Sequence, residues 1–360
     1  MKSFSSKVDR RSLLQAAVGG LGAAAIAASG CGSRPESDRV LKVFNWSDYI
    51  DPAAIEDFER ANECRVVYDN FSSDSELEAR LATGGGAYDV VFPSDRAMHS
   101  LLAKGLLQPL DHRLLTKVSN LDPEFRNQPF DPDNQFSLPY FWGTVAVGVR
   151  TDFVTEKVTG FEALFDYRHR GRITMLDDLE NVVAVVLMFL GKDLNSVLPA
   201  DLLAAKQVLL AQKPLVQAYT SDAYRERLIA GEAWVSLGWS GDLLQAAEIA
   251  NEDVPKVDVV VPVKGTLKWL DSMAIPRRAS DVPLAHQFID HLLDVDVAVS
   301  NAEHVRYATP NAEARKKLPP ETTADRRIYP SAATMKQCQW LTDRGEQIAL
   351  IEAVWREVRA

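Results

Sequence analysis

From residue 40 onward the apolar positions fall into short blocks whose spacing switches between the period of a strand and that of a helix. Val40 to Asn45 reads as a strand. Asp51-Pro52 then opens a helix to about Ala61, with proline at the first helical position, where its missing N–H is not needed. Arg65 to Tyr68 is the next strand, Ser75 to Leu81 a helix, Gly84-Gly85-Gly86 a loop, and Tyr88 to Phe92 a buried strand ending at Pro93-Ser94. Strands and helices in alternation predict a largely parallel sheet with helices on both faces. The polar, proline-rich stretch from Leu121 to Pro139 predicts surface loop, and Thr144 to Val149 a strand that first crosses into a second lobe.

The alternation then resumes. Ile173 to Leu176 predicts a strand, Asp178 opens a helix to about Leu190, and Leu202 to Leu210 forms another. Tyr224 to Ala230 leads into a strand over Ala233 to Leu237, after which Ser240-Gly241-Asp242 begins an amphipathic helix through Leu243, Leu244, Ala247 and Ile249. Val257 to Val263 is a strand and Met273 to Pro276 a return crossing. Pro283 to Leu293, Val297 to His304 and Arg344 to Val358 are helices, and Tyr307 to Asn311 is an ordered loop. Asp51 and Ser75 are expected as helix N-caps, and Asp178 is a further candidate for that role.

Two corners of this pattern carry candidate chemistry. At a strand-to-helix corner, where ligands of α/β sheets usually sit, Trp239 and Asp242 lie three residues apart. On the extended stretch Trp269-Leu270-Asp271, the tryptophan and the aspartate point to one side, because strand residues two apart share a face. An indole face with a carboxylate beside it suits an organic cation. A core tryptophan followed by a capping aspartate is the plainer account of Trp239 and Asp242 alone; the second pair shifts the balance.

Charge agrees with a cationic ligand. The chain carries −10 overall, and residues 1–31 hold Lys2, Lys7, Arg10 and Arg11 against Asp9, so the remainder is near −13. That disfavours nucleic acid as a partner. Residues 1–31 read as a signal peptide. Arg10-Arg11-Ser12-Leu13-Leu14 is a twin-arginine start, and Ala28-Ser29-Gly30-Cys31 resembles a bacterial lipobox with Cys31 as the lipidated residue. Residues 32–38 read as a flexible tether. Beyond Cys31 only Cys64 and Cys338 remain, and the sequence leaves open whether they pair. A length of about 320 residues after the leader suits two domains.

Several motifs occur in order: Asn45-Trp46-Ser47-Asp48-Tyr49, Tyr88-Asp89-Val90-Val91-Phe92-Pro93-Ser94, Leu121-Asp122-Pro123, Leu138-Pro139-Tyr140-Phe141-Trp142-Gly143, Gly238-Trp239-Ser240-Gly241-Asp242, Trp269 to Pro276, and Tyr307-Ala308-Thr309-Pro310-Asn311. From about Val40 to the end the chain resembles the periplasmic spermidine/putrescine-binding proteins of polyamine ABC importers. The resemblance implies an α/β, two-lobed periplasmic-binding-protein fold, each lobe a mixed sheet flanked by helices, with ligand in the cleft. The expected division is 39–144 with 272–312 for the first lobe and 145–271 with 313–360 for the second.

By the same resemblance, Trp46, Tyr49, Trp239, Trp269 and Tyr307 match aromatic walls. Asp178, Asp242 and Asp271 match anionic positions, and Ser47, Asp48 and Ser94 match polar groups from the first lobe. Three positions depart from the pattern. Arg96 stands where a spermidine binder has tyrosine and a putrescine binder a small residue, Asn181 where glutamate is expected, and Leu341 where the spermidine type has an amide. A desolvated guanidinium at Arg96 would repel an ammonium unless Asp48 neutralises it, or else Arg96 points outward. Arg96 and Asn181 together lean the reading toward putrescine or a related diamine, held without a cofactor by a monomer that delivers it to an inner-membrane permease.

Rival readings remain a lipid-tethered polyamine receptor for signalling, another organic cation on the same fold, or an enzyme. Catalysis is disfavoured. Gly238 to Asp242 lacks the final glycine of a nucleophile elbow, Gly84-Gly85-Gly86 lacks the Lys-Ser/Thr of a phosphate loop, and the six histidines show no metal-ligand spacing.

Overall fold

The computed structural model describes residues 39–84, 87–250 and 256–360. The leader, Cys31, the 32–38 tether and most of the glycine loop at 85–86 lie outside the described residues. Ten strands among the described residues form a mixed sheet. In chain order they are β1 (Val40–Trp46), β2 (Arg65–Phe71), β3 (Val90–Val91), β4 (Ser137–Arg150), β5 (Ile173–Met175), β6 (Val216–Tyr219), β7 (Val235–Trp239), β8 (Val257–Val260), β9 (Leu267–Ala274) and β10 (Gln339–Trp340). The main helices are α1 (Pro52–Asn62), α2 (Asp74–Thr83), α3 (Asp95–Ala103), α4 (Leu179–Phe189), α5 (Pro199–Gln212), α6 (Tyr224–Ile229), α7 (Ser240–Ala250), α8 (Val282–Leu292) and α9 (Val295–Val305), with a C-terminal helix over Ile348–Arg359.

The strand order β2-β1-β3-β9-β4-β7-β5-β6 divides around β4. The first half of β4, Ser137–Thr144, pairs antiparallel with β9, and its second half, Val145–Arg150, pairs antiparallel with β7 and β8. One long strand therefore belongs to two groups of strands, and each group carries its own helices: two lobes joined by shared strands. Parallel pairing is confined to β1 with β2 and β3, β5 with β6 and β7, and β9 with β10.

The sheet is therefore mixed and not largely parallel. The alternation of strand and helix gave the parallel pairs within each lobe correctly, but it carries no information about strands that thread between lobes. The crossings also begin earlier than the pattern suggested. Residues 137–143, expected as loop up to Pro139, are the first half of β4, and the return strand is β9 rather than Met273 to Pro276. All 14 residues of β4 are buried, so it shows no alternation, and Pro139 sits where the register with β9 shifts. Proline is tolerated at such an irregularity because the ladder is already broken there.

Local sequence explains the helix starts that position the site. Asp51 caps α1 through Ala53 N, with Pro52 following. Ser73, two residues before the expected Ser75, caps α2 through Glu76 N. Ser94 caps α3 through Ala97 N, and Asp178 caps α4 through Glu180 N and Asn181 N. A cap side chain must precede the first helical residue, and the helical turn at α2 already begins at Asp74. Cys64 and Cys338 are both free and buried.

Candidate ligand cleft

A cavity of about 930 Å³ lies between the two groups of strands and helices. Its size suits a small organic molecule. Twelve of the thirteen residues expected to hold ligand line it: Trp46, Ser47, Tyr49, Ser94, Arg96, Asp178, Asn181, Trp239, Asp242, Trp269, Asp271 and Tyr307. Asp48 does not. Its side chain is 65% exposed and accepts from Arg225 Nη2 at 2.6 Å, placing it on the rim. The residue after Trp46-Ser47 turns outward because Asp48 itself adopts a left-handed backbone, φ 52°.

The aromatic walls come from five elements. Trp46, at the end of β1, donates its indole N–H to Phe92 O at 2.9 Å and packs against Phe71, centroids 4.3 Å apart. Tyr307 meets Trp269 edge-on at 5.0 Å and Tyr49 edge-on at 5.5 Å. Two glycines make room for this cluster. A Cβ on Gly143 would sit 2.5 Å from Trp269 Cζ2, and one on Gly241 2.6 Å from the Tyr307 ring. Trp239 closes the far side, 6.2 Å from Tyr224.

The carboxylates differ sharply in what already satisfies them. Asp242, in the first turn of α7, accepts from Tyr307 Oη at 2.5 Å and Tyr224 Oη at 2.7 Å. Burial pushes its carboxyl above the usual range, opposed by nearby Arg225 and by both phenols. Asp271, on β9, is 7% exposed and has no ion-pair partner among the described residues. Burial holds its carboxyl well above the usual range; Asp74 and Asp95 add to this, while Tyr49 and Arg96 oppose it. The buried Tyr49 hydroxyl faces Asp271, which after burial is the strongest influence raising it.

Arg96 faces into the cleft, so the outward alternative is excluded. Its neutralising partner is not Asp48. Nη2 lies 3.0 Å from Asp178 Oδ2 and 3.8 Å from Asp74 Oδ2, and Nη1 lies 3.0 Å from Glu180 Oε2. Asp178 takes the cap role, with Oδ1 capping α4, while Oδ2 accepts from Arg96 and from the Asn181 amide. Burial raises the Asp178 carboxyl, but Arg96 outweighs it and holds the group below the usual range. The acid missing at Asn181 is thus replaced one residue earlier by Glu180, which also accepts from Arg344.

Sequence reasoning missed Asp74, Asp95, Glu180 and Arg225 as lining residues, and Tyr224 as the phenol behind Asp242. Asp74 and Asp95 begin helices, and a helix-opening aspartate looks the same whether or not it faces a cleft. The capping serines Ser73 and Ser94 were the available signal: each is followed at once by one of these acids. Ser94 joins the two helix starts, donating to Asp74 Oδ2 at 2.6 Å. The other tryptophans, Trp142, Trp234, Trp340 and Trp355, do not line the cavity, consistent with core or terminal packing.

The chain belongs to the family of bacterial extracellular solute-binding proteins, which residues 53–329 match. Within it, the chain is 35% identical over 342 residues to the spermidine/putrescine-binding periplasmic protein of Escherichia coli (strain K12), covering 94% of this chain and 97% of the relative. It is also 35% identical over 331 residues to the putrescine-binding periplasmic protein PotF of the same organism, covering 87% and 89%. Among solved structures, a putative spermidine/putrescine ABC transporter protein from Listeria monocytogenes matches with a TM-score of 0.82 and 34% identity, over 89% of this chain and 99% of that one.

Proposed function

We propose that this protein is the substrate-binding component of a polyamine ABC importer, capturing putrescine or a related polyamine in the periplasm and delivering it to the permease. The observation that carries this reading is Asp271: a buried carboxyl group in an aromatic-walled cleft with no ion-pair partner among the described residues. An unpaired buried carboxylate costs several kcal/mol, and a ligand ammonium removes that cost. The rings of Tyr49, Tyr307 and Trp269 supply apolar walls for methylenes and π faces for charge. The relatives named above for spermidine and putrescine support the same ligand class.

In this reading the twelve cavity-lining residues predicted from sequence contact ligand, and Asp48 acts at the rim. The lobes divide at 144/145, 271/272 and 312/313. The leader directs export, Cys31 carries the lipid, and the anchored monomer meets its permease at the inner membrane. No step of this role makes or breaks a covalent bond in the ligand. The test is a thermal-shift panel of putrescine, cadaverine, spermidine and spermine against the protein and its Asp271→Asn variant, since a ligand bound only to the folded state raises the Tm. At least one amine should raise the Tm of the native sequence, and Asp271→Asn should weaken that amine at least about tenfold, roughly 1.4 kcal/mol. A panel without any shift, or a variant that binds unchanged, would remove the proposal.

A further inference from the structure

We propose that Arg96 is a built-in occupant of one end of the cleft, and that the ligand is therefore a short diamine whose third-ammonium site the protein fills with its own guanidinium. The inference rests on the amine-binding reading above.

At the Arg96 end the acids are already engaged. Asp178 and Glu180 each hold the guanidinium at 3.0 Å, and Asp74 lies 3.8 Å away. Glu180 gives its second oxygen to Arg344, also at 3.0 Å, whose side chain is 2% exposed and which donates further to Leu194 O. The second oxygen of Asp178 is used by the backbone N–H groups of α4. Three carboxylates therefore face two guanidiniums, with charges and hydrogen bonds nearly balanced before any ligand arrives. An ammonium entering this end would meet Arg96 and would have to displace a half-buried, bidentate cation.

Two other acids in the cleft are not engaged in this way: Asp271 pairs through its backbone with Ser94, near Arg96, and Asp242 lies beside Tyr224 and Tyr307. Asp242 has only phenol donors, because the nearby Arg225 directs Nη2 to Asp48, and Asp271 has no ion-pair partner among the described residues. Asp242 and Asp271 thus stand without an ion pair, each placed to take an ammonium group. The repulsion expected from a lone guanidinium is thus replaced by occupation: Arg96 takes the anions a longer polyamine would need.

Isothermal titration calorimetry with putrescine and spermidine tests this on the full exported chain, on Arg96→Ala, and on the triple variant Arg96→Ala/Asp178→Asn/Glu180→Gln. The native sequence should bind putrescine at least about tenfold more tightly than spermidine. Arg96→Ala should raise the ratio of spermidine to putrescine affinity by about tenfold or more. The triple variant, which lacks the freed acids and leaves fewer unpaired charges to unsettle the fold, should lose that gain in the spermidine-to-putrescine ratio. Equal binding of the two amines by the native sequence overturns the inference without any variant. So does an unchanged ratio in Arg96→Ala, or a parallel loss of both amines, which would make Arg96 a tie between lobes only. Failure of every amine to bind the native sequence would instead overturn the amine reading itself.

Discussion

Asp95 shows how a single residue couples this cleft to pH. It is 8% exposed, and burial pushes its carboxyl up to about 7, with Asp74 adding to the rise and Arg96 opposing it. An unfolded aspartate titrates near about 3.9, so between about pH 4 and 7 the folded chain keeps a proton that the unfolded chain has lost. This group's contribution therefore makes the ligand-free protein less stable as pH rises through that window. A bound ammonium favours the charged carboxylate, and an alkylamine resembling lysine stays charged to about pH 10. Amine affinity should rise from pH 5.5 to about 7 and then level off, with protons released on binding near pH 6.5. Calorimetry in two buffers of different ionisation enthalpy measures that release; zero release and a flat affinity profile would count against Asp95 facing the ligand. Asp271, raised for the same reason, acts in the same direction.

Among the elements, helix starts do most of the positioning. The first turns of α2, α3, α4 and α7 all bring acids to one cavity, and the caps that start α2, α3 and α4 fix the side chains beside them. The elements also meet across the cleft through ions: α3 reaches α4 by Arg96, and α6 reaches the turn after β1 by Arg225 and Asp48. The second contact is the weaker one. Asp48 is 65% exposed, and an exposed pair contributes about 0–1 kcal/mol, reduced further by salt. Asp48→Ala should thus weaken diamine binding by less than about fivefold, and the difference from the native sequence should vanish near about 0.5 M salt. A loss as large as that for Asp271→Asn would place Asp48 in contact with ligand.

The whole molecule is held by strands shared between its lobes, without a covalent tie among the described residues. Cys64 and Cys338 are 7% and 6% exposed, and burial foremost raises both thiols. A chain spanning 39–360, unfolded in guanidinium without reductant, should titrate two free thiols; a value near zero would show a disulfide and a different packing around β10. Continuity through β4 and β9 allows the lobes to move without breaking the sheet within either. Motion of this kind is how a cleft admits ligand and then excludes water.

The amphipathic helices, the parallel strand pairs within each lobe and the two indole-carboxylate corners were legible in the sequence, because periodicity and residue spacing are local properties of the chain. Trp269 and Asp271 share a face on any extended strand, and Asp178 can cap any helix that begins at Leu179. The path of β4 was not legible, since a strand buried on both sides loses its alternation. Nor were the partners of the charges. Arg96 lies 82 residues from Asp178 and 84 from Glu180, and Asp48 lies 177 from Arg225. The sequence by itself determined which acids and rings the cleft has to work with. Only the tertiary structure decided which of those acids are already neutralised and which still face the cavity without a cation, because Coulomb interactions between side chains depend on distance in space and on burial, and the order of residues records neither.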